Sequence, residues 1–152
     1  MAKRWRHFRP VEYLPVNLND DAWPELEHWL GERTESKALV VMEGVSPYVN
    51  DSTFRRFLLL LATKLSAGSH VAYDFKIRGV NDDFGRVGRT QKPFRLSRVC
   101  DEVATFHEAH GLRLKRMELS SELCARLLPG LAGPASLLFS EDGLVRLQVG
   151  RA

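Results

Sequence analysis

Cysteines and long apolar runs are both scarce in this sequence, and each scarcity argues against a class of protein. The chain has only two cysteines, Cys100 and Cys124, which lie far apart and outside any CxxC pair. Such usage favours unpaired thiols in a reducing cytoplasm over a disulfide framework or a cysteine-rich zinc module. No apolar run approaches the roughly 18 residues of a membrane-spanning helix, and the first ten residues lack a signal-peptide core. We therefore expect a cytoplasmic location and no membrane segment.

What is present has the composition of one globular domain. The chain has 152 residues, of which 44% are hydrophobic and 27% are charged, and these values argue against disorder. The net charge of +3 is mild, but residues 1–10 hold several basic side chains and no acid. We interpret residues 1–10 as a basic extension that docks to a neighbouring part of the protein, rather than as a nucleic-acid-binding arm. Residues 11–152 form the predicted domain.

Strands and helices alternate along this domain. Strands are predicted at residues 11–18, 38–42, 70–77, 112–119 and 144–149, with a turn at Asp142-Gly143 before the last one. The helix with the strongest pattern has a stripe of apolar side chains at helical spacing: Phe54, Phe57, Leu58, Leu61 and Leu65. The order predicts a doubly wound α/β sheet that is mostly parallel and has an antiparallel edge formed by the last two strands.

The other helices have clear start and stop signals. Asp20 or Asp21 is predicted to cap a short helix that has Pro24 in its first turn and Gly31 just past its end. A second helix is predicted at residues 98–110, with Val99, Val103 and Phe106 on its buried face. A third is predicted from Ser120 through Leu128. Both cysteines fall on these helices, and we expect both to be buried.

The most informative stretch is residues 38–49. Residues 38–42 are a near-continuous apolar run, which is typical of a parallel strand covered on both faces. The run ends in Glu43 and Gly44, and a turn and a helix follow. Because ligands of α/β proteins bind where parallel strands end, Glu43 is the best candidate for a functional side chain. The alternative is a solvated strand-end acid. Asp74 ends the next strand, and a local capping or ion-pairing role is favoured for it.

These features, in this order, resemble the C-terminal half of class I S-adenosylmethionine-dependent methyltransferases. More narrowly, they are similar to the leucine carboxyl methyltransferase family and its polyketide O-methyltransferase relatives. The segments that carry the resemblance are residues 16–20 (VNLND), 42–44 (MEG), 48–49 (YV), 67–74 (AGSHVAYD), 110–111 (HG) and 120–130 (SSELCARLLPG). The resemblance implies a partial Rossmann-like sheet, S-adenosylmethionine as cofactor, and a small-molecule carboxylate or hydroxyl as methyl acceptor.

The resemblance also implies cofactor-binding residues. Asn17 and Leu18 stand where the family has an Asp-Leu pair that contacts the adenine, and an Asn carbonyl oxygen can still accept from an amino group. Glu43 and Gly44 stand where the family's Glu-Gly pair lies against the methionine part of the cofactor, and a carboxylate there can pair with an ammonium or hold a hydroxyl. Tyr48 stands where an aromatic residue helps to wall the methyl-donor pocket. The alternatives are a turn role for Asn17 and simple packing for Tyr48.

The glycine-rich opening of that family is absent here. None of the 11 glycines forms a GxGxD-type turn after an N-terminal strand, and the acid that holds the ribose hydroxyls has no counterpart. In the family's strand order, 3-2-1-4-5-7-6, residues 11–18 are strand three and residues 38–42 are strand four. The first two strands are therefore lacking, and residues 38–42 are left with an unpaired apolar edge.

Three arrangements would satisfy that edge. A partner chain carrying the N-terminal half supplies the missing strands, two copies form a homodimer through their exposed edges, or residues 11–18 pair directly with residues 38–42. A truncated chain is equally compatible with the sequence.

Two further groups of residues have side chains that can form a site. The region at residues 78–97 contains Arg78, Arg86, Arg89, Lys92 and Arg95, and either recognises an acidic substrate, covers the pocket or is a solvated loop. His107 and His110 have the spacing of two metal ligands, but no third ligand accompanies them, so surface histidines near a helix end are favoured and no metal is expected.

The sequence therefore predicts an S-adenosylmethionine-dependent O-methyltransferase that needs a partner chain or an oligomer to complete its cofactor site. No catalytic residue is assigned, because methyl transfer depends mainly on alignment and on the removal of water. The alternative is a non-catalytic remnant that retains the fold and acts as a binding or dimerisation module.

Overall fold

A computed structural model describes residues 11–33, 35–81, 83–131 and 141–150. In chain order the elements are α1 (Pro24–Gly31), β1 (Leu39–Met42), α2 (Asp51–Lys64), β2 (His70–Lys76), α3 (Cys100–Glu108), β3 (Leu112–Leu119), α4 (Ser120–Leu127) and β4 (Asp142–Val149). Single 3₁₀ turns lie at Ser46–Tyr48 and Pro129–Leu131.

The four strands form one sheet in the order β1-β2-β4-β3. β1 and β2 are parallel, with Leu39 opposite His70 and Met42 opposite Tyr73. β4 is antiparallel to both of its neighbours, β2 and β3. Three strands thus run in one direction, and the antiparallel pairing of the last two forms one edge. This is the 4-5-7-6 portion of the strand order that the resemblance implies, so the predicted fold class is confirmed.

The predicted strand at residues 11–18 is wrong, because the structure has no strand there. The segment is held beside α1 instead: the carboxylate of Glu12 accepts hydrogen bonds from Trp29 Nε1 at 2.8 Å and from Arg33 Nη2 at 2.7 Å. Pro15 also has no N–H to donate to a strand neighbour. Residues 11–18 therefore do not pair with β1, and within the described residues β1 has a neighbour on one side only.

The helices largely follow the predicted stripes. Four members of the α2 stripe, Phe54, Phe57, Leu58 and Leu61, are buried, and the Phe54 ring packs edge-on to Tyr73 of β2 with centroids 5.1 Å apart. α1 begins at Pro24 after Trp23 and has no side-chain cap, so the predicted cap at Asp20 or Asp21 is wrong. Val99 precedes α3 and is exposed; Val103 and His107 are the buried residues of that helix.

The last strand begins earlier than predicted, since Asp142 and Gly143 belong to β4 rather than to a turn. Lys76 Nζ lies 2.7 Å from Asp142 Oδ1, and this ion pair continues the ladder between β2 and β4. Gly143 is required there, because a Cβ atom would lie 2.3 Å from Cζ of Phe75.

The two cysteines differ in exposure: Cys124 is buried, but Cys100 is exposed, contrary to the prediction.

One face of the sheet carries the core. We call it the packed face: Val71, Tyr73, Phe75, Val145 and Leu147 point to it and join the buried side chains of α1, α2 and α3 in one apolar cluster. The opposite side of the sheet is the open face, on which Leu39 is 67% exposed and Val41 is 63% exposed. The prediction that residues 38–42 are covered on both faces is therefore met on one face only.

None of the helices in the described parts of the chain is long and apolar enough to span a bilayer.

Candidate functional site

The carboxyl ends of β1 and β2 lie at the same edge of the sheet, because the two strands are parallel neighbours. β1 passes into Glu43 and Gly44, and Gly44 has φ of +67°, in the left-handed region that favours glycine. The Gly44 N–H donates to Asp74 Oδ1 at 2.7 Å. Ser46 is fully buried, and its hydroxyl donates to the Asp74 carbonyl oxygen at 2.6 Å. Asp74 thus has the local role favoured from the sequence: it fixes the turn after β1.

A cavity of about 460 Å³ opens beside this turn, on the open face of the sheet. Its lining includes Glu43, Gly44, Val41, Ala72, Leu144 and Ser120. The floor is therefore mostly apolar and the rim is polar, as is usual for small-molecule sites. Sequence reasoning predicted the Glu43 turn but not the contributions of Leu144 and Ser120, which come from elements far along the chain.

Glu43 is the carboxylate at the cavity that has no hydrogen-bond or ion-pair partner among the described residues. Asp74 accepts from Gly44 N, and Asp142 pairs with Lys76. Glu43 is exposed, and no hydrogen bond or ion pair joins it to any other residue that the structure describes. A carboxylate in that position can accept from an ammonium, a hydroxyl or an amide of a ligand.

Asn17 and Leu18 do not line this cavity. Asn17 forms a local turn, in which its Oδ1 accepts from Asn19 N at 3.1 Å and its Nδ2 donates to Asp20 Oδ1 at 2.8 Å. Leu18 is half-buried against the core. The structure therefore separates these two predicted cofactor contacts from Glu43 and Gly44, and their role in binding stays a prediction.

Tyr48 also lies outside the cavity lining. It ends the 3₁₀ turn, and its half-exposed ring packs against Phe84 with centroids 5.8 Å apart. Its carbonyl oxygen accepts from Thr90 Oγ1 at 2.6 Å and from Asn19 Nδ2 at 2.8 Å. The role of Tyr48 as a pocket wall likewise stays a prediction.

Asn50 joins the site to the region at residues 78–97. Its Oδ1 accepts from the N–H groups of Gln91 and Lys92 at 3.0 and 3.2 Å, and its Nδ2 donates to the Arg89 carbonyl at 3.1 Å. The side chain therefore holds this loop, and it forms no capping hydrogen bond to α2. In the sequence, the short polar side chain of Asn50 was the only indication of this role. It could be interpreted only once the position of the loop was known.

The second half of that loop is part of the core. Phe94 and Leu96 are buried, Phe94 N donates to the Val49 carbonyl at 2.9 Å, and Leu96 N donates to the Lys76 carbonyl at 3.2 Å. Arg95 is buried too, and donates to the carbonyl oxygens of Phe94 and Phe84. Among the predicted basic residues, Arg95 is thus a structural one, whereas Arg78, Arg86, Arg89 and Lys92 are exposed.

His107 is a buried structural residue rather than a surface histidine. Its Nδ1 lies 2.6 Å from the Val103 carbonyl, so Nδ1 carries the proton, and Nε2 accepts from the Tyr73 hydroxyl at 2.6 Å. Burial lowers the pKa of His107 to about 4, with a smaller opposing effect from the Val103 hydrogen bond. Burial also raises the pKa of Tyr73 well above its usual value. Across the described ranges no three His, Cys, Asp or Glu side chains are grouped to hold a metal ion.

Comparison of the sequence with family models gives no match, and neither does comparison with curated proteins. The structure does match solved structures. An S-adenosylmethionine-dependent methyltransferase from Mesorhizobium loti superposes with a TM-score of 0.53 at 16% sequence identity, over 88% of this chain and 67% of that chain. Magnesium protoporphyrin IX methyltransferase from Synechocystis PCC 6803, solved with bound SAH, gives a TM-score of 0.43 at 8% identity, over 75% of this chain and 44% of that chain.

At such low identity a structural match shows the fold alone, and the second score is too low to carry weight. The first match and the strand order agree: the chain has a class I methyltransferase-like fold with a partial sheet. The chain spans only part of the length of both solved proteins, 67% of one and 44% of the other.

Proposed function

We propose that this chain provides one side of the cofactor pocket of an S-adenosylmethionine-dependent O-methyltransferase, and that a partner chain carrying the glycine-rich N-terminal half provides the other side. The observation that supports this most is the cavity at the end of β1: its rim holds Glu43, which forms no hydrogen bond or ion pair with the described residues, beside a strand edge that no described strand pairs with. In the strand order of this fold, the strand that carries the glycine-rich turn would pair with that edge. Its turn would then lie next to Glu43.

The residues present fit the methionine end of the cofactor. Glu43 offers a carboxylate to an ammonium, and the space around Gly44 is open, with no atom within 4 Å of where a Cβ would stand. A volume of about 460 Å³ lies within the usual range of small-molecule pockets. Adenine and ribose contacts have no counterpart at this cavity among the described residues, since Asn17 and Leu18 lie elsewhere. This is why a second polypeptide is part of the proposal.

The chemistry would rest on positioning. When bound, the cofactor supplies an activated methyl group, which a small-molecule hydroxyl or carboxylate takes by in-line displacement. The carboxylate of Glu43 would orient the charged end of the cofactor, and Asp74 and Ser46 keep the Glu43-Gly44 turn in place. Val41, Ala72 and Leu144 would exclude water from the site. Alignment and dehydration of this kind can account for most of such a rate enhancement.

Replacing Glu43 by Gln in the complete assembly tests this role. Loss of the charge-assisted hydrogen bond should weaken S-adenosylmethionine binding roughly tenfold or more, measured by isothermal titration calorimetry. Glu108→Gln is the matched control, because Glu108 is exposed at the end of α3, away from the cavity. Equal affinity of the wild type and Glu43→Gln would remove Glu43 from the site.

A second candidate function is a non-catalytic binding or dimerisation module. The placement of Asn17, Leu18 and Tyr48 outside the cavity favours it, and the free edge of β1 offers a homodimer interface. A homodimer without affinity for S-adenosylmethionine would select this function over methyl transfer.

A further inference from the structure

The open face of the sheet presents apolar and basic side chains in adjoining areas. Leu39 and Val41 of β1 lie beside Ala72 of β2 and form the apolar area. On the neighbouring strands, Arg146 of β4 stands directly opposite Arg116 of β3. Both arginines therefore project from the same face as the apolar area, since residues opposite each other in a ladder share a face.

The apolar area is built like the inside of a protein. Leu39, Val40, Val41 and Met42 are all apolar, so β1 offers the same chemistry to both faces, yet only Met42 is buried. Strands with this pattern are normally covered on both sides. The buried apolar side chains of α1, α2 and α3 belong to the core on the packed face, and within the described residues nothing covers Leu39 and Val41.

The arginines in and beside the basic area outnumber the acidic side chains that pair with them. Glu118 is shared by two arginines, with Oε1 lying 2.8 Å from Arg116 Nη2 and 2.5 Å from Arg126 Nη2. Arg146 is exposed, and no acidic side chain of the described residues pairs with it. Two like charges directly opposite each other destabilise a strand pair. A carboxylate arriving from outside would relieve that repulsion.

We propose that the open face is the docking surface for an acidic amphipathic helix of a partner protein. The apolar side chains of that helix cover Leu39, Val41 and Ala72, and its Asp or Glu side chains pair with Arg146 and Arg116. Helices dock to apolar surfaces in this way through side chains at helical spacing, and flanking charges fix their orientation. This docking needs no cofactor, so it goes beyond the proposed function and does not depend on it. Val41 and Ala72 also line the cavity beside Glu43, so the helix and the cofactor compete for that area.

Charge distinguishes this occupant from two others, and the apolar area distinguishes it from a third. A second copy meeting the same face by two-fold symmetry would bring the arginines toward each other. The basic segment at residues 1–10 carries the same sign of charge as Arg146. Nucleic acid would leave the apolar area of Leu39 and Val41 uncovered.

The test uses two synthetic, hydrocarbon-stapled helical peptides with the same Leu/Ala stripe, one flanked by Glu and the other by Lys. Their binding to the full chain is measured by fluorescence anisotropy. The Glu peptide should bind about tenfold more tightly than the Lys peptide, and Arg146→Glu should reverse that preference. Val41→Asp should weaken both peptides. Arg98→Glu is the control: it makes the same charge change at an exposed residue before α3 and should leave the preference unchanged.

Several results would overturn the proposal. Equal binding of the two peptides, a preference that Arg146→Glu leaves unchanged, or no binding of either peptide would each do so. A homodimer that buries the open face, detected by ultracentrifugation and lost in Val41→Asp, would assign the face to a second copy. Because these measurements use no cofactor, they can fail while the Glu43→Gln titration succeeds, and the reverse.

Discussion

The two faces of the sheet are made by the same four strands but differ in what covers them. On the packed face, Val71, Phe75 and Leu147 are fully buried beneath α2 and α3. On the open face, Leu39 and Val41 are more than half exposed although they are equally apolar. The cavity with Glu43 lies on this open face, at the carboxyl ends of the strands. The described chain therefore forms its core on one face only, and the open face is the one to which both proposals assign binding.

The largest loss of stability is expected from a substitution that disrupts the packed face. Phe54 is fully buried between β2 and Phe94, and its ring centroid lies 4.2 Å from that of Phe94. Phe54→Ala should lower the free energy of unfolding by about 3–5 kcal/mol, because it leaves a cavity in the core. Leu59→Ala, on the exposed side of the same helix, should cost less than about 1 kcal/mol. Urea unfolding followed by circular dichroism measures both, and similar losses would contradict the assignment of the core.

The next effect is a pH dependence that arises on the packed face. The pKa of His107 is about 4 in the folded chain and near 6.5 in the unfolded chain, so between these values the unfolded state binds more protons. Stability from this residue is therefore complete above pH 6.5 and is lost as the pH falls toward 4, by about 3 kcal/mol in total. Urea unfolding at several pH values measures the slope, and His107→Gln should reduce it. An equally steep slope in that variant would show that other groups cause it.

A smaller effect compares the two faces with the same substitution on neighbouring strands. Val71→Ala on the packed face should lower the free energy of unfolding by about 2 kcal/mol, since it removes two fully buried methyl groups. Val41→Ala on the open face should change it by less than about 0.5 kcal/mol in the isolated chain. Thermal unfolding of both variants gives the comparison. A loss of similar size in Val41→Ala would mean that the open face is already covered within this chain.

How much the sequence revealed depended on the range of the contacts involved. β3 was predicted at its observed bounds because its alternating residues reflect one exposed side and one side that is buried at Leu112 and half-buried at Leu114 and Met117. The strand at residues 11–18 was wrong because its extended pattern carried no information about Glu12 reaching Trp29 and Arg33. Gly143 was read as a turn because its contact with Phe75 is visible only in the assembled sheet.

The candidate site was predictable in part for the same reason. Glu43 and Gly44 follow an apolar strand directly, so their position at the sheet edge could be inferred from local order alone. Leu144 and Ser120 reach the cavity through the arrangement of β3, β4 and α4, which no local pattern encodes. Asn17 and Tyr48 were proposed from resemblance, and the turn around Asn17 places it away from the cavity.

Native mass spectrometry of the tagged chain, purified from its own host, would show whether this chain provides half of a cofactor pocket. We expect a complex with a second chain that carries the glycine-rich half, with the mass of S-adenosylmethionine or its demethylated product retained. A cofactor-free monomer or homo-oligomer that does not take up added S-adenosylmethionine would contradict it.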